Sequence, residues 1–294
     1  MRSKLTVGAA IVIACMALGA LAYFGPGSAP ASRHSASGPP YYLALGDSLA
    51  VGDQPNAQGI PTATNQGYVN LLYATERKKI KGLKLEQLGC PGETTTTMLN
   101  GGLCPYPGGN QMAAALAFIA QHKIALLTLN IGGNDIAKCV SYTVTINSQC
   151  IAGSWTTIDT NVPKIAKRLR AAVGSKVKLA AMTYENPYLG AYLDGPTGRR
   201  NAAASVPLAK KLNELLSTNL RADGFRVANV ADAFDIYTPF TTKVKVPGRG
   251  RLPLAVAKAC ELTWTCAAQP RGPNPHPNAA GYRTIARAFA AILR

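Results

Sequence analysis

Short apolar runs alternate along the chain with longer stretches whose apolar residues recur every three or four positions. The short runs predict strands at Tyr41–Leu45, Lys84–Leu88, Ile124–Ile131, Lys176–Thr183 and Phe225–Val230. The longer stretches predict helices near Gly67–Arg77, Asn110–Gln121, Ile158–Val173, Ala203–Ala222 and Ala279–Leu293. Strands that alternate with helices argue for an α/β fold with a five-stranded parallel sheet. Right-handed crossovers would then place helices on both faces. Two connections are long, Tyr184–Arg200 and Ala231–Pro275. They follow the fourth and fifth strands, where they can wall a cleft. The second, rich in Pro, Gly and basic residues and carrying Trp264, can act as a lid or be an ordered surface excursion.

The N-terminal pattern is different. Arg2 and Lys4 precede an uncharged apolar stretch, Leu5–Phe24, with Ala20-Leu21-Ala22 as a small-residue site. Residues 1–22 read first as a signal peptide cleaved after Ala22. The run is also long enough for an uncleaved membrane anchor. A lipobox, Val12-Ile13-Ala14-Cys15, is a third reading. All three place the remainder outside the cytoplasm, secreted or tethered to the outer face of the membrane. Residues 23–40 lack an apolar period and read as a flexible linker, so the folded domain is expected at residues 41–294.

Polar residues interrupt the pattern at the strand ends, and there the chemistry collects. Ser48 lies in Leu45-Gly46-Asp47-Ser48-Leu49, Gly92 in Cys90-Pro91-Gly92-Glu93-Thr94, and Asn134 in Gly132-Gly133-Asn134-Asp135. All three follow the C-terminal ends of successive predicted strands, the rim where open α/β sheets bind ligands. His276 follows in Asn274-Pro275-His276-Pro277-Asn278. A serine, a histidine and two donor positions can supply a nucleophile, a base and an oxyanion site. Asp47 and Asp135 are expected to fix loops or cap helices. His122 ends a helix and His34 lies in the linker, so His276 is the one base in a useful place.

These blocks resemble the SGNH hydrolase superfamily, the GDSL esterases and lipases, from about Tyr41 to Arg294. The resemblance implies a three-layer α/β/α sandwich of flavodoxin-like type. It implies catalytic Ser48 and His276, an oxyanion hole of Ser48, Gly92 and Asn134, and neither metal nor cofactor. It also implies a carboxylic ester substrate: a lipid, a short-chain ester or an acetylated glycan. One departure stands out. The family usually has an aspartate three residues before the histidine, and here that residue is Pro273, followed by Asn274. A main-chain carbonyl from Arg271–Asn274 is therefore expected to hold the His276 ring, unless Asp232 or Asp235 does so.

Cysteine and charge complete the picture. Apart from Cys15, six cysteines fall as close neighbours, and an oxidising compartment favours Cys90–Cys104, Cys139–Cys150 and Cys260–Cys266 among the 15 possible pairings. The net charge of +17 favours an anionic partner, such as an envelope polymer or lipid surface, or simply a solvated basic shell. It does not favour nucleic acid, because no recognisable nucleic-acid-binding pattern accompanies it. A monomer is expected. The reading from a different class is a catalytically weak, basic envelope-binding protein on the same fold.

Overall fold

The computed structural model describes residues 38–140 and 146–294. The expected signal or anchor at residues 1–22 and most of the expected linker lie outside the described residues. Five parallel strands form one sheet: β1 Pro40–Gly46, β2 Lys84–Gln87, β3 Lys123–Asn130, β4 Lys178–Met182 and β5 Arg226–Ala228. Their order across the sheet is β2-β1-β3-β4-β5, with every neighbouring pair parallel. The central strand β1 is buried on both faces from Tyr42 to Leu45, which explains its unbroken apolar run.

The order reverses direction at β1 and β3, so the loops after these strands diverge and leave a crevice. Ser48 follows β1 and Asn134 follows β3. The fold therefore creates the place for a site before any side chain is considered.

The helices are α1 Tyr68–Glu76, α2 Thr95–Asn100, α3 Gln111–Gln121, α4 Gly133–Ala137, α5 Ser148–Val173, α6 Gly195–Ala222, α7 Val230–Ala233, α8 Leu254–Leu262 and α9 Ala279–Ile292. α1 packs on α9 at one face, where the Tyr68 and Phe289 rings stack with centroids 4.9 Å apart. α5 packs on α6 and α3 at the other.

Helix α5 begins ten residues before its predicted start because Asn147 caps it, its Oδ1 accepting the Cys150 N–H. Helix α6 begins at Gly195, so the expected loop Tyr184–Arg200 is largely helical: a 3₁₀ segment, Pro187–Leu193, then the first turn of α6. The second long connection holds α8 and an antiparallel hairpin, Lys243–Val246 with Gly250–Pro253.

The unit Ala36–Arg294 holds the whole sheet, both helical layers and their core. It also holds three disulfides, Cys90–Cys104, Cys139–Cys150 and Cys260–Cys266. The core and its covalent braces therefore lie inside this unit. No helix among the described residues is long and apolar enough to cross a membrane.

Candidate active site

The turn after β1 is built around Gly46. Its φ is +137°, and a Cβ there would lie 2.1 Å from the Asn130 carbonyl oxygen, so only glycine fits. Gln111 clamps the turn: its Oε1 accepts the Gly46 N–H at 2.7 Å and its Nε2 donates to the Gly46 carbonyl at 2.9 Å. The next residue, Asp47, is buried and accepts from the Leu49 N–H at 2.9 Å, Asn130 Nδ2 at 2.6 Å and the Tyr184 hydroxyl at 2.6 Å. Burial pushes its carboxyl up to about 7. Asp47 is thus a fastening of the loop, as expected from sequence, and it holds Ser48 at the cleft floor.

His276 arrives from the far end of the chain. Its Nε2 is 3.0 Å from Ser48 Oγ, and its Nδ1 is 2.9 Å from Asn274 Oδ1. The same Oδ1 accepts the His276 main-chain N–H at 3.0 Å. A backbone N–H can only donate, so the Asn274 atom facing it must be the carbonyl oxygen. That oxygen can only accept, so Nδ1 carries the proton and the Nε2 lone pair faces Ser48. The expectation of a main-chain carbonyl is therefore corrected: the acceptor is the side-chain amide of Asn274. A side chain two residues before the ring can fold back on it, which a main-chain carbonyl in the same tight turn does not do here. Asp232 is engaged elsewhere, accepting from Asn229 Nδ2 at 2.5 Å. Burial pulls the His276 imidazole down to about 4.

The donor side joins the second and third loops. Asn134 opens α4, and its Nδ2 donates to the Glu93 carbonyl at 3.0 Å. This fixes the amide next to Gly92 and leaves its second N–H available. Asp135 clamps the two loops from beneath, accepting the Thr95 N–H at 2.8 Å and the Thr95 hydroxyl at 2.7 Å. Gly133 is needed for close approach, since a Cβ there would sit 2.8 Å from the Tyr184 ring. The Cys90–Cys104 disulfide starts two residues before Gly92, and Cys139–Cys150 joins the segment after α4 to the first turn of α5.

Ser48, Gly92, Asn134 and His276 line one cavity of about 420 Å³. Ile136, Val140, Ile146, Leu208 and Leu212 give it a broad apolar wall. Among the described residues no lysine or arginine lines it. Glu185 also lines it. Glu185 is 8% exposed, its Oε2 has no hydrogen-bond partner among the described residues, and burial pushes its carboxyl up to about 7. Among the described residues no group of three or more His, Cys, Asp or Glu could hold a metal ion.

Sequence reasoning named the four cavity residues but missed Gln111, Asn130, Tyr184 and Glu185. Asn130 carried a faint signal, a polar residue inside an apolar strand. The sequence profile of the GDSL-like lipase/acylhydrolase family matches residues 44–284.

The chain belongs to the GDSL-like lipase/acylhydrolase family.

The fold agrees. Phospholipase A1 from Streptomyces albidoflavus NA297 superposes with a TM-score of 0.54 at 18% identity, over 87% of this chain and 100% of that one. An extracellular lipase from Streptomyces rimosus gives 0.54 at 16% identity, over 86% and 99%. A putative GDSL-like lipase from Parabacteroides merdae gives 0.52 at 13% identity, over 86% and 94%. At these identities the likeness is one of fold. No curated protein matches the sequence. The GDSL block of this family member is Gly46-Asp47-Ser48-Leu49, at the turn just described.

Proposed function

We propose that this GDSL-family protein is an extracytoplasmic carboxylic ester hydrolase that works through an acyl-serine intermediate. The observation that carries the reading is the 3.0 Å approach of His276 Nε2 to Ser48 Oγ, with Nδ1 held protonated by Asn274. Ser48 Oγ attacks the ester carbonyl carbon while its proton passes to His276 Nε2. The carbonyl π electrons move onto oxygen, and the Ser48 N–H, the Gly92 N–H and the second Asn134 N–H are the proposed donors to that oxyanion. Collapse breaks the bond to the leaving alcohol, which takes the proton from His276. Water then repeats the sequence and releases the acid.

The apolar wall suits the acyl portion of an aliphatic ester better than an acetyl group alone. The three disulfides support a place outside the cytoplasm.

The test is covalent labelling. A fluorophosphonate should attach at Ser48, and Ser48→Ala should abolish both labelling and hydrolysis of nitrophenyl esters with an unchanged melting temperature. Labelling of another serine, or full turnover by the variant, refutes the assignment.

A further inference from the structure

Three large apolar side chains are exposed among the described residues: Ile60 at 60%, Leu103 at 48% and Leu193 at 37%. Isolated exposed apolar residues need no explanation, but these three share a location. Ile60 immediately precedes Pro61, which lines the cavity. Leu103 lies against Gly92, its Cδ2 3.5 Å from where a Cβ on that glycine would stand. Leu193 ends the 3₁₀ segment whose Pro187 and Tyr188 line the cavity. It lines a neighbouring hollow together with Cys266. Each exposed apolar side chain thus adjoins a segment that lines the cavity.

The basic hairpin is tied to the wall of that neighbouring hollow, which shares Pro187 and Tyr188 with the cavity. Arg249 Nη2 donates to the Cys266 carbonyl at 2.9 Å. Lys245 stands directly opposite Arg251 in the register, and Lys243 lies on the same face two residues away. Val244, opposite Leu252, turns the other way. Like charges opposite one another in a strand pair are destabilising. No acidic residue occurs from Ile236 to Cys260, and none of the ion pairs among the described residues involves the hairpin. The fold carries this repulsion without internal compensation.

We propose that the cavity rim docks on an anionic phospholipid surface. Lys243, Lys245 and Arg251 draw the protein to the headgroups, and Ile60, Leu103 and Leu193 enter the interface around the cavity mouth. A second copy of the chain would bring two strongly cationic surfaces together. A soluble polyanion would leave the three apolar side chains in water. A bilayer satisfies both features and delivers acyl esters to the apolar wall. In that last respect the proposal rests on the hydrolase reading.

The test uses the Ala36–Arg294 unit, which has its own core. Binding is measured by sedimentation, in a Ser48→Ala background, with vesicles of phosphatidylcholine alone or mixed with phosphatidylglycerol. Turnover of a soluble nitrophenyl butyrate is measured separately with Ser48 present. Partitioning should need phosphatidylglycerol and fall with added salt. Replacing Lys243, Lys245 and Arg251 together with Gln should weaken it about a hundredfold, since each charge near such a surface is worth about fivefold. Ile60→Ser with Leu193→Ser should weaken it about tenfold or more, by loss of buried apolar area. Both variants should keep soluble-ester turnover, and neither should lower the melting temperature, the triple variant being relieved of the cross-strand repulsion. Equal binding to neutral vesicles, an unaffected triple variant, or tight binding to polyglutamate without vesicle binding would each overturn the docking proposal. Absent turnover of the soluble ester in the unmodified unit would instead overturn the hydrolase reading.

Discussion

Asn274 does at this site what a carboxylate does in a full triad, but only in part. Its side-chain oxygen fixes the His276 tautomer through the 2.9 Å contact, yet it brings no negative charge to the imidazolium that forms during attack. Burial of the ring pulls its pKa down to about 4. The base works when neutral, so activity is lost only as pH drops through that low value. The acid limb of kcat/KM for a nitrophenyl ester should therefore lie well below the ordinary histidine range. Asn274→Asp should raise the limb toward that range and increase kcat. Asn274→Ala should lower kcat by about a hundredfold or more, because the ring loses its orienting acceptor. pH–rate profiles of the three proteins check this. An unmoved limb in Asn274→Asp would mean that Asn274 does not govern the ring.

At the scale of elements, the site depends on how the ends of β1 and β3 are fastened to helices. Gln111, in the first turn of α3, makes two bonds to Gly46, donates to Glu93 Oε2 at 2.9 Å and reaches the Tyr106 hydroxyl at 3.0 Å. One amide thus joins the serine turn to the loop that carries Gly92. Gln111→Leu should leave the Gly46 N–H unpaired in a buried place, while the carbonyl keeps the Cys90 N–H at 3.0 Å, and cost about 1–3 kcal/mol. Urea unfolding measures this, and kcat should fall with KM little changed because the donors lose alignment. An undiminished midpoint would show that the turn stands without the clamp.

This network also marks the limit of what the sequence discloses. β1 and α9 are legible because strand and helix periods are local, and Ser48, Gly92 and Asn134 are legible because they follow predicted strands. Gln111 to Gly46 and Tyr184 to Asp47 join positions 65 and 137 residues apart, and no local period reports such bonds. The short helices α2, α4 and α7 escaped for a related reason. Six, five and four residues long, they are too short to display a helical period.

For the molecule as a whole, a strongly cationic exterior encloses a site whose buried ionisable groups are mostly acids. The carboxyls with perturbed titration among the described residues all move upward: Asp47 to about 7, Asp53 to about 6, Glu185 to about 7, and Glu93 and Asp135 in the same direction, each chiefly through burial. A raised carboxyl binds its proton more tightly in the folded state. It therefore costs no stability below its unfolded pKa, and the cost grows as pH rises toward the folded value. Glu185 is the clearest case, because its Oε2 has no partner and Asp47 opposes its ionisation. Its rise from 4.5 to about 7 corresponds to roughly 3 kcal/mol lost between pH 4.5 and neutrality. His276 works in the opposite sense, its lowered pKa making stability fall as pH drops through the ordinary histidine range toward about 4. The two effects separate in a variant. Glu185→Gln keeps the shape and removes the titration, so its stability gain over the parent should be small at pH 5 and about 1–3 kcal/mol at pH 8. Urea midpoints of both proteins at the two pH values decide it. A gain that is equal at both would show that Glu185 titrates alike in the folded and unfolded states, and that this buried acid is not what sets the pH dependence of the fold.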